Sequence, residues 1–276
     1  MTLPSFVGIG VPRAGTTWLH ELLHAHPDIY MPSRRRELNF FDLYYDRGVA
    51  WYEKFFPSKS EAGRYQAIGE ITPYYFYGAA CPVRMAQLPV EKLLLILRNP
   101  VDRAWSWYAL MLRDGHFSGS FEAFLDQRRW PVIEQGTYSS YLREYLQYFT
   151  RQQLLVLLFE EALHDIAGTK QRLADFLGVA CDRFPATAGE TVVNESYVPR
   201  APRAYGLAVR VSRMLRKWDA DWAVNAAKRL GVKERFGNAG RAQAMTAETR
   251  ERLRRGFEAE LETLERLLGV SLDVWR

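Results

Sequence analysis

Three continuous apolar runs stand out in the hydrophobic pattern of this chain: Phe6–Gly10, Lys92–Leu97 and Leu154–Phe159. Runs of this length, without a polar residue at every second place, are expected for strands buried on both faces of a parallel sheet. Elsewhere the pattern switches to helical spacing. The first run breaks at a glycine-bearing turn and continues as a helix. A further helix is expected from Pro100, and others over Phe121–Arg129, Tyr138–Phe149 and Ile166–Leu177, the last closed by Gly178. Tyr138, Tyr141, Tyr145 and Tyr148 recur at spacings of three and four, as do Leu253, Phe257, Leu261, Leu264 and Leu268 on a last helix near Thr246–Leu268. Both stripes read as packing faces. After Cys181 the character changes. Residues 194–203 have loop chemistry, and Arg210, Arg213, Arg216 and Lys217 then line one side of a helix, either a solvated face or an attraction for an anionic acceptor or a membrane surface.

The turn after the first run, Val11-Pro12-Arg13-Ala14-Gly15-Thr16-Thr17-Trp18, has the composition of a phosphate-binding loop. The first N–H groups of a helix have no intrahelical partner, and its dipole favours negative charge there. Gly15 permits close approach of the backbone, Thr16 and Thr17 add hydroxyls, and Arg13 adds fixed positive charge. Gly10 and Gly15 have the spacing of G-x-x-x-x-G-K-[ST], but Thr16 stands where that pattern has lysine, which argues against ATP hydrolysis. An ordinary strand-turn-helix connection is the alternative. With the strand-helix alternation, the loop predicts an α/β fold of P-loop-like, three-layer form, a central, mostly parallel sheet flanked by helices.

The second run ends in Arg98-Asn99-Pro100-Val101-Asp102, with Ser106 one turn beyond Asp102. Asn99 suits an N-cap, Pro100 the first helical position and Asp102 a capping box. Arg98 then stands at the carboxyl end of a strand, where open α/β sheets bind ligands. Arg98 and Ser106 suit a second phosphate, or else a local ion pair and a hydroxyl facing water.

Pro12–Leu19 resembles the 5'-phosphosulfate loop of sulfotransferases that use 3'-phosphoadenosine 5'-phosphosulfate (PAPS), and Leu97–Pro100 with Ser106 resembles their 3'-phosphate motif. The likeness continues through Glu37–Phe41, Trp51-Tyr52 with Phe55–Pro57, Gly69–Tyr75, Gly136–Tyr138 with Leu142, and Leu154–Glu160. These segments follow family order over about the first two-thirds of the chain. Their spacing is most similar to the heparan-sulfate-type enzymes and their bacterial relatives.

The resemblance implies a PAPS donor and adenosine 3',5'-bisphosphate as product; a sulfonate carries less charge than a terminal phosphate and no Asp-rich signature stands out, so no metal is expected. Arg13 would take the place of the usual loop lysine and stabilise charge on the leaving phosphate rather than give up a proton. Ala14, Gly15, Thr16, Thr17 and Trp18 would make the 5'-side contacts, Arg98 and Ser106 the 3'-phosphate contacts, and Tyr138 would lie near the nucleotide. Arg200 and Arg203 would belong to a basic lid. Glu37, ahead of Phe40 and Phe41, would be the general base, its pKa raised by partial burial beside the rings; pairing with Arg34, Arg35 or Arg36 is the alternative. Glu70 is a second acid whose role stays open: acceptor selection, help to Glu37, or a bond to a nearby arginine.

With 276 residues, 48% of them hydrophobic, the chain can bury a large core and is expected to form one domain over 1–276, with a basic helical part from about 194. Two distant cysteines, Cys81 and Cys181, give no disulfide framework, and no apolar leader or membrane-spanning run precedes the first strand, so a cytoplasmic enzyme is expected. The net charge of +5 permits nucleic-acid contact, but basic and aromatic residues are not interleaved as an RNA-binding module requires. The expected acceptor is a carbohydrate or another small metabolite, with its identity and the oligomeric state unread. A P-loop nucleotide kinase, disfavoured by the missing lysine, and a non-catalytic nucleotide-binding protein are the competing readings.

Overall fold

Five parallel strands form one sheet in the order β2-β3-β1-β4-β5: β1 Phe6–Gly10, β2 Ile29–Tyr30, β3 Ala67–Ile71, β4 Lys92–Leu97 and β5 Leu154–Leu158. The computed structural model describes residues 2–129, 131–190, 202–229, 240 and 242–276. Its helices include α1 Thr16–His24, α2 Pro100–Arg113, α3 Phe121–Asp126, α4 Tyr138–Leu146, α5 Ile166–Leu177, α6 Pro202–Lys217, α7 Asp221–Arg229 and α8 Ala247–Leu268. The fold is α/β, as the alternating pattern predicts.

The chain forms two compact units. Met1–Asn99, Tyr138–Val193 and Leu264–Arg276 make the first, which holds the sheet; Pro100–Thr137 and Asn194–Thr263 make the second. Every residue of β1 and β3 is buried, which leaves room for glycine only where strands and covering groups meet closely: a Cβ on Gly69 would run into the Phe6 ring. Val7 pairs with Glu70 on one side and Leu93 on the other, so β1 is the middle of the sheet.

In the second unit Val101, Ala104, Trp107, Tyr108 and Met111 of α2 pack with Phe121 and Phe124 of α3 and with Leu253 and Phe257 of α8. Asp102 bonds to Arg250 at 2.8 Å, so α8 presents a guanidinium to the first turn of α2. The α8 stripe is buried as read, at Leu253, Phe257, Leu261, Leu264 and Leu268. The tyrosine stripe of α4 is buried at Tyr138 and Tyr145 but emerges at Tyr148, 47% exposed, where the helix has ended.

Candidate active site

The chain leaves β1 towards β2 and leaves β4 towards β5, so the carboxyl ends of these neighbours flank a topological switch point, the place where open α/β sheets bind ligands. Val11 N–H donates to Ile96 O of β4 at 2.9 Å, and Ala14 N–H closes the turn on Val11 O at 3.2 Å. Arg13 and Gly15 both adopt left-handed backbone, φ 73° and 87°. Gly15 has a second reason to lack a side chain: a Cβ there would enter the Phe159 ring. α1 begins with no side-chain cap and no acid in its first turn. Other helices fill that place, Asp165 accepting from Gly168 N–H at 2.8 Å and Ser120 from Ala123 N–H at 3.2 Å. The start of α1 therefore leaves the positive end of its dipole without a side-chain cap, which suits an anion.

Arg98 reaches across from β4. Its Nη1 donates to Arg13 O at 3.2 Å and its guanidinium lies 4.9 Å from the centre of the Phe159 ring, so Phe159 supports both loops. Tyr138 Oη donates to Arg98 O at 2.8 Å, bracing the strand end from below. Glu160 completes the brace, its carboxylate accepting from Asn99 N–H at 3.0 Å and from Trp275 Nε1 at 2.7 Å, while Asn99 Nδ2 donates to Trp275 O. Asn99 thus serves this tie at the border of α2.

On the other side of the loop, Thr16, Thr17 and His20 of α1 share one small open cleft with Arg36, Glu37, Ile71 and Pro73. Sequence positions twenty residues apart are brought together here. Glu37 is exposed, not partly buried against Phe40 and Phe41 as expected, because Leu38 and Phe40 turn inward and leave the carboxylate outward. Of the arginines considered as its partners, Arg35 is buried among Tyr44, Trp51 and Phe55, and Arg36 lies 3.4 Å from Glu21. His20 is almost fully buried; burial, then the nearby Arg36 and His24, push its pKa down to about 3, so it is neutral.

The sequence pattern that defines the sulfotransferase domain matches residues 4–198. The chain belongs to the sulfotransferase family. It is 34% identical over 186 residues to human heparan sulfate glucosamine 3-O-sulfotransferase 3B1, covering 64% of this chain and 46% of that protein. It is 34% identical over 217 residues to human heparan sulfate glucosamine 3-O-sulfotransferase 6, covering 74% of this chain and 62% of that one. The match to the first of these spans about half of that protein's length. A sulfotransferase from Alicyclobacillus acidocaldarius has a similar structure, TM-score 0.69 with 25% identity over the whole of both chains.

Of the residues read from the sequence of this sulfotransferase, Arg13, Ala14, Gly15, Thr16, Thr17, Glu37 and Arg98 gather around the start of α1 in the first unit. Trp18 does not face that cleft: its indole N–H donates to Gly189 O at 2.8 Å and the ring is buried, since a helix turns the third residue away from the first two. Tyr138 spends its hydroxyl on Arg98 O. Ser106 is buried in α2, within the second unit. Arg200 lies outside the described residues, as does the side chain of Arg203. The sequence reading missed His20, Arg36, Glu160 and Trp275 as site-forming groups. His20 was legible as the residue four places after Thr16 on one helix face; the Glu160–Trp275 tie joins positions 115 apart and carries no local signal. Glu70 is fully buried and bonded by the hydroxyls of Tyr52, Thr72 and Tyr75, not by an arginine. Burial pushes its pKa up to about 7 against the pull of those three donors.

Proposed function

We propose that this sulfotransferase transfers a sulfuryl group from PAPS to a hydroxyl or amine of a carbohydrate acceptor. The observation that carries the reading is the uncapped start of α1, whose Thr16 and Thr17 share a cleft with Glu37. The donor set fits an anion: helix N–H groups, two hydroxyls, and the cations Arg13 and Arg98. When bound, PAPS supplies the sulfuryl group and departs as adenosine 3',5'-bisphosphate. Thr16 and Thr17 orient the phosphosulfate oxygens. Arg13 lies on the loop where charge grows on the departing phosphate and stabilises it. Arg98 meets the 3'-phosphate. Glu37 takes the proton of the acceptor, and its exposure leaves it reachable by one. Relatives named for 3-O-sulfation of heparan sulfate glucosamine support a glucosamine-containing acceptor.

The test is transfer from PAPS to heparan sulfate. The wild-type chain is expected to sulfate it. Glu37→Gln is expected to lose about a hundred- to ten-thousand-fold in turnover, with affinity for adenosine 3',5'-bisphosphate unchanged. Undiminished turnover in that variant would remove Glu37 from the role of base.

A further inference from the structure

Glu70 pairs in register with Val7 in the middle of the sheet, a place where a carboxylate is costly without partners. Its partners lead to Glu37. Thr72 Oγ1 donates to Glu70 Oε2 at 2.8 Å, and Tyr75 Oη and Tyr52 Oη donate to Oε1 at 2.8 and 3.1 Å. Each hydroxyl has one proton, and giving it to the carboxylate leaves the oxygen free to accept. Thr72 Oγ1 accepts from Leu38 N–H at 3.0 Å and Asn39 N–H at 3.2 Å; Tyr75 Oη accepts from Phe40 N–H at 2.7 Å. The three backbone amides that follow Glu37 are all held in this way, by two hydroxyls whose direction one carboxylate sets.

We propose that Glu70 is a positioning residue that fixes the Glu37 segment in the cleft through the hydroxyls of Thr72 and Tyr75. The role in turnover rests on Glu37 being the base; the effect on the segment does not. An amide at position 70 has one accepting oxygen and one donating nitrogen, so at least one hydroxyl must turn round and its proton then opposes a backbone N–H. Glu70→Gln is expected to speed amide exchange at least about tenfold at Leu38, Asn39 and Phe40 and leave exchange in α1 and β4 unchanged. With PAPS and heparan sulfate it is expected to lower kcat at least about tenfold without changing KM for PAPS, and to cost nothing further in a Glu37→Gln background. Thr72→Ser is expected to keep turnover and Thr72→Val to lose it. Unchanged exchange at 38–40, faster exchange throughout the sheet, or a full additional loss in the double variant would overturn the proposal. Full turnover of Glu37→Gln alone would instead overturn the assignment of the base, and the exchange result would still decide whether Glu70 holds the segment.

A separate observation concerns α6. Leu207, Val211 and Met214 follow one another at steps of four and three on one line of the helix, with Trp218 just past its last residue, and they are 62%, 42%, 56% and 79% exposed. Arg210 and Lys217, both exposed and seven residues apart, flank this line, and Trp222 at the start of α7 is 74% exposed. An apolar stripe with tryptophan at its end and cations along its side has the complementarity of an anionic bilayer surface. We infer that α6 docks on anionic lipid. The 276-residue chain is expected to sediment with vesicles of phosphatidylcholine and phosphatidylglycerol but not with phosphatidylcholine alone, with a blue shift of tryptophan emission, and salt is expected to reverse it. Trp218→Ser with Met214→Ser is expected to abolish binding and leave affinity for adenosine 3',5'-bisphosphate unchanged. Absence of vesicle binding, or self-association of the chain that the same double variant abolishes, would overturn the inference.

Discussion

At the scale of single residues, the site depends on groups whose charge state is set by their surroundings. His20 lines the cleft as a neutral ring, with a folded-state pKa near 3 against an ordinary 6.5. Between these values the unfolded chain binds more protons than the folded one, so this group lowers stability as pH falls below about 6.5. Unfolding in urea at pH 7 and pH 5 is expected to differ by about 2 kcal/mol less in His20→Leu than in the wild type. An identical difference in the two proteins would mean that His20 is not held neutral by the fold. Glu70 acts in the opposite sense: its pKa is raised, so its penalty is absent at acid pH and grows as pH rises towards 7. Arg98 tests the donor side. Arg98→Ala is expected to weaken adenosine 3',5'-bisphosphate far more than AMP in titration calorimetry, and equal losses would separate Arg98 from the 3'-phosphate.

Among the elements, those legible in the sequence were the ones whose burial is uniform. β1, β4 and β5 are unbroken apolar runs because both faces are covered, and α5 ends at Gly178, φ 78°, as its composition predicts. β3 was recognised only as a motif, because Glu70 interrupts its apolar run. That carboxylate is tolerated by hydroxyls from positions 52, 72 and 75, a combination that no local window contains. β2, two residues long, is too short to leave a pattern. The loop between β1 and α1 was legible because it ends in glycine and threonine, whereas its support from Phe159 comes from the residue that follows β5. Gly15→Ala tests that support. A left-handed alanine costs about 1–2 kcal/mol, and the clash with Phe159 adds to it. Lower stability in urea and weaker donor binding are expected together; a neutral substitution would show that the loop yields freely.

In the whole molecule, the first unit carries the sheet, the loop, Arg98 and Glu37, so the parts read as donor site and base share one compact body. No helix among the described residues is long and apolar enough to cross a membrane. In the proposed function, the start of α1 and Arg98 read a 3',5'-bisphosphorylated adenosine. Thermal unfolding in the presence of adenosine 3',5'-bisphosphate, AMP, or ATP with magnesium tests it most directly, since a ligand at about a hundred times its Kd adds about 2.7 kcal/mol. Selective stabilisation by the bisphosphate is the predicted result. Stabilisation by ATP with magnesium alone, or by none of the three, would contradict the account.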